Sequence, residues 1–546
     1  MKKASQLKKI ISFFTSFTLI LALVINFPVI VHADVNDKTF NIIEITDFHG
    51  ALNDASGNPV AGVLADRIDT VKRNNPSRTL ILGGGDLYQG SATSNIMKGA
   101  PVQEVMSEIG MEVTALGNHE FDWGLNTIID TTMKGAKYSI VCSNLYDKKD
   151  GKRVFDPYKI IEKDGVRIAI IGGISTETPT IVLPEYVKDY EFRNLTDEIN
   201  SVAKEIKDSK LADVTIALVH EGDNSDNVTG PIFDMANNLK NVDAVFGGHT
   251  HTKVCGSASM TKIPVYIANS YGKGYINAKF TITDNKKIKF ETPTYDNNYV
   301  ALDNENGYKA KDPITYYKVD KIVDNANEKV APETNEVIGY NTEKDLTRNR
   351  NVEPYGSSVL GNWASDITRL AVKADVGFQN NGGLRIDIPK GEITTGTMWK
   401  FMPFDNTIYK FNMTKAQIKE VLEAAVKDGG KGIQVSGIKF TYDSTSPSGN
   451  RVKEITREDG REISDSEILS VAAPDFIATG GDGFQTFYNA GGNNPSNDTH
   501  IVVRDAFIEW CRENKDKNGE NTIANKEVSR IINISNNLVF QEKKAA

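Results

Sequence analysis

Five short runs rich in β-branched residues limit what this chain can fold into: Phe40-Asn-Ile-Ile-Glu-Ile, Thr79-Leu-Ile-Leu, Arg167-Ile-Ala-Ile-Ile, Val214-Thr-Ile-Ala-Leu-Val and Asp243-Ala-Val-Phe. Glycine or asparagine bounds each run and helical stretches lie between them, an alternation that predicts a layered α/β domain from Phe40 to about Tyr275. Four of the five lead directly into Thr46-Asp47-Phe48-His49, Gly85-Asp86, His220-Glu221 and Gly248-His249-Thr250-His251. Strand ends are where α/β sheets place their sites, so a metal or acid–base centre is expected there.

The chain has 546 residues, more than one hydrophobic core serves, which predicts two or three domains. A polar stretch from Asp296 to Lys311 precedes Asp312-Pro313, a pair that caps and starts a helix running to about Val330. A second α/β portion follows, with helices near Ser357 to Val372 and Lys415 to Lys427 and strands near Ile433 to Tyr442 and Ile468 to Ala472. At the other end, Lys2, Lys3, Lys8 and Lys9 precede an apolar run from Ile10 to Val31 that closes in Val31-His32-Ala33, the order of a secretory signal, with an uncleaved anchor as the alternative. The expected organisation is a signal at 1–33, a catalytic domain at 34–311, a helical linker at 312–335 and a C-terminal domain at 336–546. No second apolar run approaches membrane length, so a secreted protein without stable membrane insertion is expected. Acidic residues outnumber basic ones 72 to 63, which leaves no general cationic field for a nucleic-acid polymer. The three cysteines, Cys142, Cys255 and Cys511, have no metal-knuckle or disulfide spacing, so any metal must be held by nitrogen and oxygen.

Of the seven histidines, five (His49, His119, His220, His249 and His251) fall in the first half at abrupt strand-to-loop transitions. Hydrolytic divalent ions need anionic oxygen, and zinc-like or manganese-like ions accept neutral imidazole as well. Asp47-x-His49 offers both, and on an extended segment this spacing turns the two side chains to one side. Asp86, after Gly83 to Gly85, stands where the backbone can turn sharply and a carboxylate could bridge two ions. That glycine triplet read as a phosphate-cradling loop lacks the Gly-Lys-Ser/Thr that would complete it. Gly117-Asn118-His119-Glu120-Phe121-Asp122 supplies an amide, an imidazole and a carboxylate three residues on. Asp122 either orients His119 or caps a helix.

These segments, in this order, resemble the calcineurin-like metallophosphoesterases, with Asp-x-His, Gly-Asp, Gly-Asn-His-Glu, a lone His and Gly-His-x-His spread over about 200 residues of sequence. In the second half Asn380-Asn381-Gly382-Gly383-Leu384-Arg385, Pro403-Phe404-Asp405-Asn406 and Phe476-x5-Asp482-Gly483-Phe484 are similar to substrate-domain motifs of 5′-nucleotidases. The resemblance implies an α/β/β/α sandwich followed by an α/β substrate domain. It implies two divalent ions (Zn, Mn or similar), the first on Asp47, His49, Asp86 and His251 and the second on Asp86, Asn118, His220 and His249. It also gives His119, held by Asp122, the task of stabilising the transferring phosphoryl group. Arg350, Asn380 and Arg385 would hold phosphate oxygens, with Asn406 in the same pocket. Phe404 and Phe476 would sandwich the base, and Asp482 would bond the ribose or base. Asn-Asn-Gly-Gly is also a common turn, and Phe404 after Pro403 is equally readable as a buried turn anchor.

Two ions roughly 3.5–4 Å apart lower the pKa of a shared water toward neutrality, so the expected reaction is hydrolysis of a nucleoside 5′-phosphate by hydroxide attacking in line. No Gly-x-Ser-x-Gly motif or catalytic-cysteine setting suggests a covalent route. Two enzymatic alternatives share the metal motifs, a 2′,3′-cyclic-nucleotide phosphodiesterase and a nucleotide-sugar diphosphatase. A surface adhesin that keeps the fold is a third, and it should have lost some of the seven ligand positions, all of which are filled.

Overall fold

A computed structural model describes residues 37–54, 57–283, 285–297, 308–341, 346–350, 355–514 and 529–535. The signal expected at 1–33 lies outside them. The first half is built on two sheets. One has the spatial order Ile288–Phe290, Gly274–Ile282, Lys38–Ile45, Thr79–Gly83, Val113–Ala115 and Ser139–Val141, with Thr294–Asn297 also pairing with Gly274–Ile282. The other runs Lys253–Ser257, Pro264–Ala268, Ala244–Phe246, Val214–His220, Val166–Ile174 and Tyr158–Lys163.

Strand alternation builds the layers. Phe40, Ile42, Leu80 and Leu82 from one sheet meet Ile168, Ile170, Ile216 and Leu218 from the other in a shared apolar interior. Their neighbours Ile43, Ile45 and Ile81 point outward under the helices Val60–Asn74 and Ala100–Ile109. On the far side Ala169, Ile171, Ala217 and Val219 pack under Leu195–Asp208 and Pro231–Asn238. With both faces of each sheet buried, the strands read as continuous apolar runs, and the result is the α/β/β/α sandwich. Each fully buried side chain of this kind contributes about 1.5–3 kcal/mol, so the sheet ends are held on a stiff base.

The helix after Asp312 spans Pro313–Thr334, and the Asp312 side chain accepts from the Ile314 N–H at 2.9 Å. It packs against the Val60–Asn74 and Ala100–Ile109 helices of the first half and against Thr395–Phe401 of the second. Beyond it, a five-stranded sheet runs in the order Ile433–Ser436, Val376–Asn380, Ile468–Pro474, Thr407–Thr414 and Asp498–Val502, with apolar clusters on both faces. The strand expected from Ile433 to Tyr442 is two strands, Ile433–Ser436 and Ile438–Tyr442, which belong to different sheets. Gly437 divides them at φ 78°, and a Cβ there would lie 2.1 Å from the Asp375 carbonyl oxygen, so the chain must turn where the apolar pattern alone runs on.

Candidate metal site and adjoining cleft

The site forms where loops leave the ends of both sheets. The Asp47 N–H donates to the Gly85 carbonyl and the His49 N–H to the Asp86 carbonyl, each at 3.0 Å, which zips the loop after Lys38–Ile45 to the loop after Thr79–Gly83. The loop after Ala244–Phe246 joins them through the His249 N–H, 3.0 Å from both carboxylate oxygens of Asp47. Close approach requires glycine: a Cβ on Gly117 would sit 2.2 Å from Asp86 Oδ1, and one on Gly248 would sit 2.4 Å from Thr46 Oγ1.

Asp47, His49, Asp86, His249 and His251 all have positive φ, between 48° and 76°. Left-handed backbone at a residue with a Cβ costs on the order of 1–3 kcal/mol and persists only where the surroundings over-determine it. Asp47 and His49 therefore do not reach one centre as alternate residues of an extended strand. The strand ends at Ile45, and a curled loop brings the two together.

The donor atoms fall into two groups, Asp47 with His49 and His251, and Asp86 with His220 and His249; within each group they lie within 4.8 Å of one another. In the first, His49 Nε2 is 3.0 Å from His251 Nε2, and His251 Nε2 is 3.4 Å from Asp47 Oδ1. In the second, His220 Nε2 is 3.0 Å from Asp86 Oδ2. Asp86 stands between them, its Oδ2 also 3.9 Å from His49 Nε2. Asn118 Oδ1 lies 2.9 Å from His249 Nδ1.

Three observations fit this donor set to divalent cations. The Nδ1 of His49 faces the Gln89 carbonyl at 2.9 Å and that of His220 faces the Gly84 carbonyl at 2.7 Å, so a proton on each Nδ1 leaves Nε2 as a lone pair aimed inward. The buried His220 Nε2 faces the Asp86 carboxylate at 3.0 Å without a well-aligned hydrogen bond among the described residues. Two imidazole nitrogens meet at 3.0 Å in the other group, an approach that a shared cation explains. Burial pulls His249 and His251 down to about 3, which keeps both neutral and able to donate. Burial pushes Asp47 up to about 7 against the pull of His220. Burial also opposes charge on His220, yet the adjacent Asp86 carboxylate outweighs it and raises His220 to about 10. Burial opposes charge on Asp86 as well, but His220, His119 and His49 outweigh it and hold this carboxyl well below its usual range.

Two residues, Glu120 and His119, fix the loop after Val113–Ala115. The buried Glu120 carboxylate accepts from the N–H groups of Asp86, Leu87 and Gly117 at 2.9, 3.0 and 2.6 Å. His119 Nδ1 lies 2.8 Å from Asp122 Oδ2, and the His119 N–H donates to Asp86 Oδ1 at 2.8 Å. Burial works against charge on His119, but Asp122 and Asp86 together raise its pKa.

A cleft of about 470 Å³ opens over these groups, lined by Asp86, Asn118, His119, Asp122, His249 and His251 on one side and by Asn380, Arg385, Phe404, Asn406, Phe476 and Asp482 on the other. Phe404 stacks on His119 with ring centroids 5.8 Å apart, and the Arg385 guanidinium lies 5.8 Å from the same ring. Arg385 also donates to the Tyr271 hydroxyl at 3.3 Å, and Tyr271 packs against the rings of His49 and His251. The Asn380 amide donates to Asp482 Oδ2 at 3.1 Å, and the Asn406 amide donates to Asp475 at 2.6 Å. Arg350 does not line the cleft. Its neighbour Arg348 binds Asp387 and the Leu384 carbonyl, and residues 351–354 lie outside the described set.

Sequence reasoning gave no role to Tyr271, Gln89, Glu120 or Asp475. Glu120 and Gln89 sat inside or just after quoted motifs, so their place in the loop was a usable signal. Tyr271 and Asp475 carry no local pattern that separates them from core residues.

Residues 40–253 match the calcineurin-like phosphoesterase family and residues 337–489 match the 5′-nucleotidase C-terminal domain. The chain is 29% identical to the cell wall protein Lmo0130 of Listeria monocytogenes over 515 residues, covering 82% of this chain and 64% of that protein. It is 27% identical to a 5′-nucleotidase of Vibrio cholerae over 489 residues, covering 82% and 86%. Among solved structures, the 5′-nucleotidase precursor from Thermus thermophilus superposes with a TM-score of 0.73 at 24% identity, covering 87% of this chain and 96% of that one. The chain spans between 32% and 64% of the length of three of the relatives it matches. Among the described residues no helix is long and apolar enough to cross a membrane.

Proposed function

Because this chain belongs to the 5′-nucleotidase family, a calcineurin-like phosphoesterase region followed by a 5′-nucleotidase C-terminal domain, we propose that it is a secreted phosphoric ester hydrolase that releases inorganic phosphate from nucleoside 5′-monophosphates. One observation carries the reading: members of both metal-competent groups, His251 of one and Asp86 and His249 of the other, line the same cleft as Arg385, Phe404 and Phe476.

In this reading Asp47, His49, Asp86 and His251 hold one ion and Asp86, Asn118, His220 and His249 hold the other, zinc-like or manganese-like as the mixed oxygen and imidazole donors suit. Bound there, two divalent ions supply Lewis acidity and a nucleophile from water at neutral pH. The chain's own residues do the rest. Asp122 holds His119 Nδ1, so His119 presents its remaining nitrogen to the phosphoryl group and donates to an equatorial oxygen as charge grows there. Arg385 offers the planar donor fork that suits phosphate. Phe404 and Phe476 supply apolar faces for the base. Asp482, steadied by the Asn380 amide, accepts from the ribose or base edge.

The signal at 1–33, the catalytic region at 34–311, the linker at 312–335 and the substrate domain at 336–546 complete the proposal. Its extracellular placement rests on the charged and apolar N-terminal pattern and on a relative named as a cell wall protein. The test is phosphate release from AMP, ADP, ATP, UDP-glucose and 2′,3′-cyclic nucleotides, with several divalent metals and with a chelator. AMP should be cleaved in a metal-dependent way. Turnover confined to the cyclic nucleotides or to UDP-glucose would move the chain to a related phosphoesterase activity, and metal-independent turnover would sink the assignment of the ligands.

A further inference from the structure

Gln89 is 1% exposed, yet among the described residues neither its amide nitrogen nor its amide oxygen has a hydrogen-bond partner. It lines the cleft all the same. Buried polar groups are nearly always satisfied, and an unmade hydrogen bond is costly. Other buried amides nearby obey that rule. Asn95 accepts from the Gly90 N–H at 2.8 Å and donates to the Pro403 carbonyl at 3.0 Å, and Asn118 faces His249.

The backbone around Gln89 leaves it little room to move elsewhere. Its carbonyl faces His49 Nδ1 at 2.9 Å, and the Gly90 that follows is so close to the first loop that a Cβ would lie 2.2 Å from the His49 carbonyl oxygen. The side chain is thus tied to the ligand end of the cleft rather than to the Phe404 and Phe476 end. A primary amide brings two N–H donors, and a phosphoryl oxygen is an acceptor only.

We propose that Gln89 is a substrate-contacting residue whose amide N–H donates to a non-bridging oxygen of the phosphoryl group, beside His119 and Arg385. The assignment rests on the reading of the cleft as a phosphate ester site. The free side chain is then a donor held ready, and its unmet bonds are an expense of the ligand-free state that the bound phosphate removes.

The test is Gln89→Met, which keeps length and volume and removes the amide. Four quantities are read on the ion-loaded full chain: melting temperature, bound metal, the rise in melting temperature caused by inorganic phosphate, and kcat/KM for AMP and for bis-p-nitrophenyl phosphate. The variant should melt at or above the wild-type temperature, because it loses no protein partner, and should keep its metal. Phosphate should protect it less, and kcat/KM should fall by about 10–100-fold for both esters, since the monoester and the diester each present a non-bridging phosphoryl oxygen to accept the bond. Failure to fold, a lowered melting temperature with undiminished phosphate protection, or loss of metal would each overturn the proposal by giving Gln89 a structural or ligating role. Wild-type rates in the variant would overturn it too. A loaded wild-type chain that cleaves neither ester would instead defeat the phosphoesterase reading itself.

Discussion

The two ends of the cleft are held by opposite means. At the metal end main-chain anchors dominate, His49 and His220 on carbonyl groups, Glu120 on three N–H groups and Asp47 on the His249 N–H, beside the side-chain pairs His119–Asp122 and His249–Asn118. At the end proposed to receive the nucleoside the anchors are mainly other side chains, Asn380 on Asp482 and Asn406 on Asp475, with Phe404 lying on His119. Main-chain anchors move only if loops move. Side-chain pairs can rearrange by rotamer, so the first end is suited to fixed geometry and the second to adjusting its shape.

Asp86→Ala gives the largest expected effect, because this carboxylate lies between both donor groups. Turnover should fall by about 10³-fold or more and bound metal should drop, with the fold intact by circular dichroism. Two retained ions and a near-normal rate would break the contrast at its fixed end. His119→Asn comes next: metal content should stay and turnover should fall by roughly 10²–10⁴-fold. Loss of metal here would make His119 a ligand and remove its separate role.

Two phenylalanine variants sharpen the comparison further. Phe476→Ala should raise KM for AMP by roughly 2–13-fold, the scale of one aromatic contact, and leave bis-p-nitrophenyl phosphate untouched. Phe404→Ala should slow both substrates, since Phe404 also packs on His119. Equal behaviour of the two variants on the small ester would mean that the ends are not coupled through that ring.

The smallest effect concerns Asp475, which burial pushes up to about 6 against hydrogen bonds from Thr407 and Asn406. With the folded pKa raised, the folded state binds the proton more tightly, so this group's stabilising share is full below the usual carboxylate range and is lost as pH rises through about 6. Asp475→Asn should raise the melting temperature by about 2–4 °C at pH 8 relative to the wild type, and by less at pH 5. An equal shift at both pH values would show that ionisation of Asp475 is not the cause.

The same contrast explains what was legible in the sequence. The layered α/β fold could be read because buried parallel strands are continuous apolar runs, and Asp312-Pro313 marked its helix by local capping chemistry. The Ile433 to Tyr442 break was hidden because the constraint on Gly437 comes from Asp375, distant in sequence. The loops carrying Asp47, Asp86 and His249 stood out as dense motifs at strand ends, but their left-handed backbone did not, since nothing in Asp-x-His separates a curled loop from an extended one. The partners at the nucleoside end were harder still: Asn380 meets Asp482 and Asn406 meets Asp475 across 102 and 69 residues. Arg350 is not among the residues that line the cleft.

The first strand of the sandwich, Lys38–Ile45, pairs antiparallel with Gly274–Ile282, Lys38 opposite Ile282. As a ribosome makes the chain, that strand is born with one edge open and waits for a partner about 240 residues away, roughly 10–50 s at 5–20 residues per second. During the wait it presents an apolar template for misplaced pairing, and His249 and His251 do not yet exist. Products ending before residue 282 should therefore be insoluble for want of the pairing strand, and those ending before residue 249 should also lack two of the metal-competent histidines.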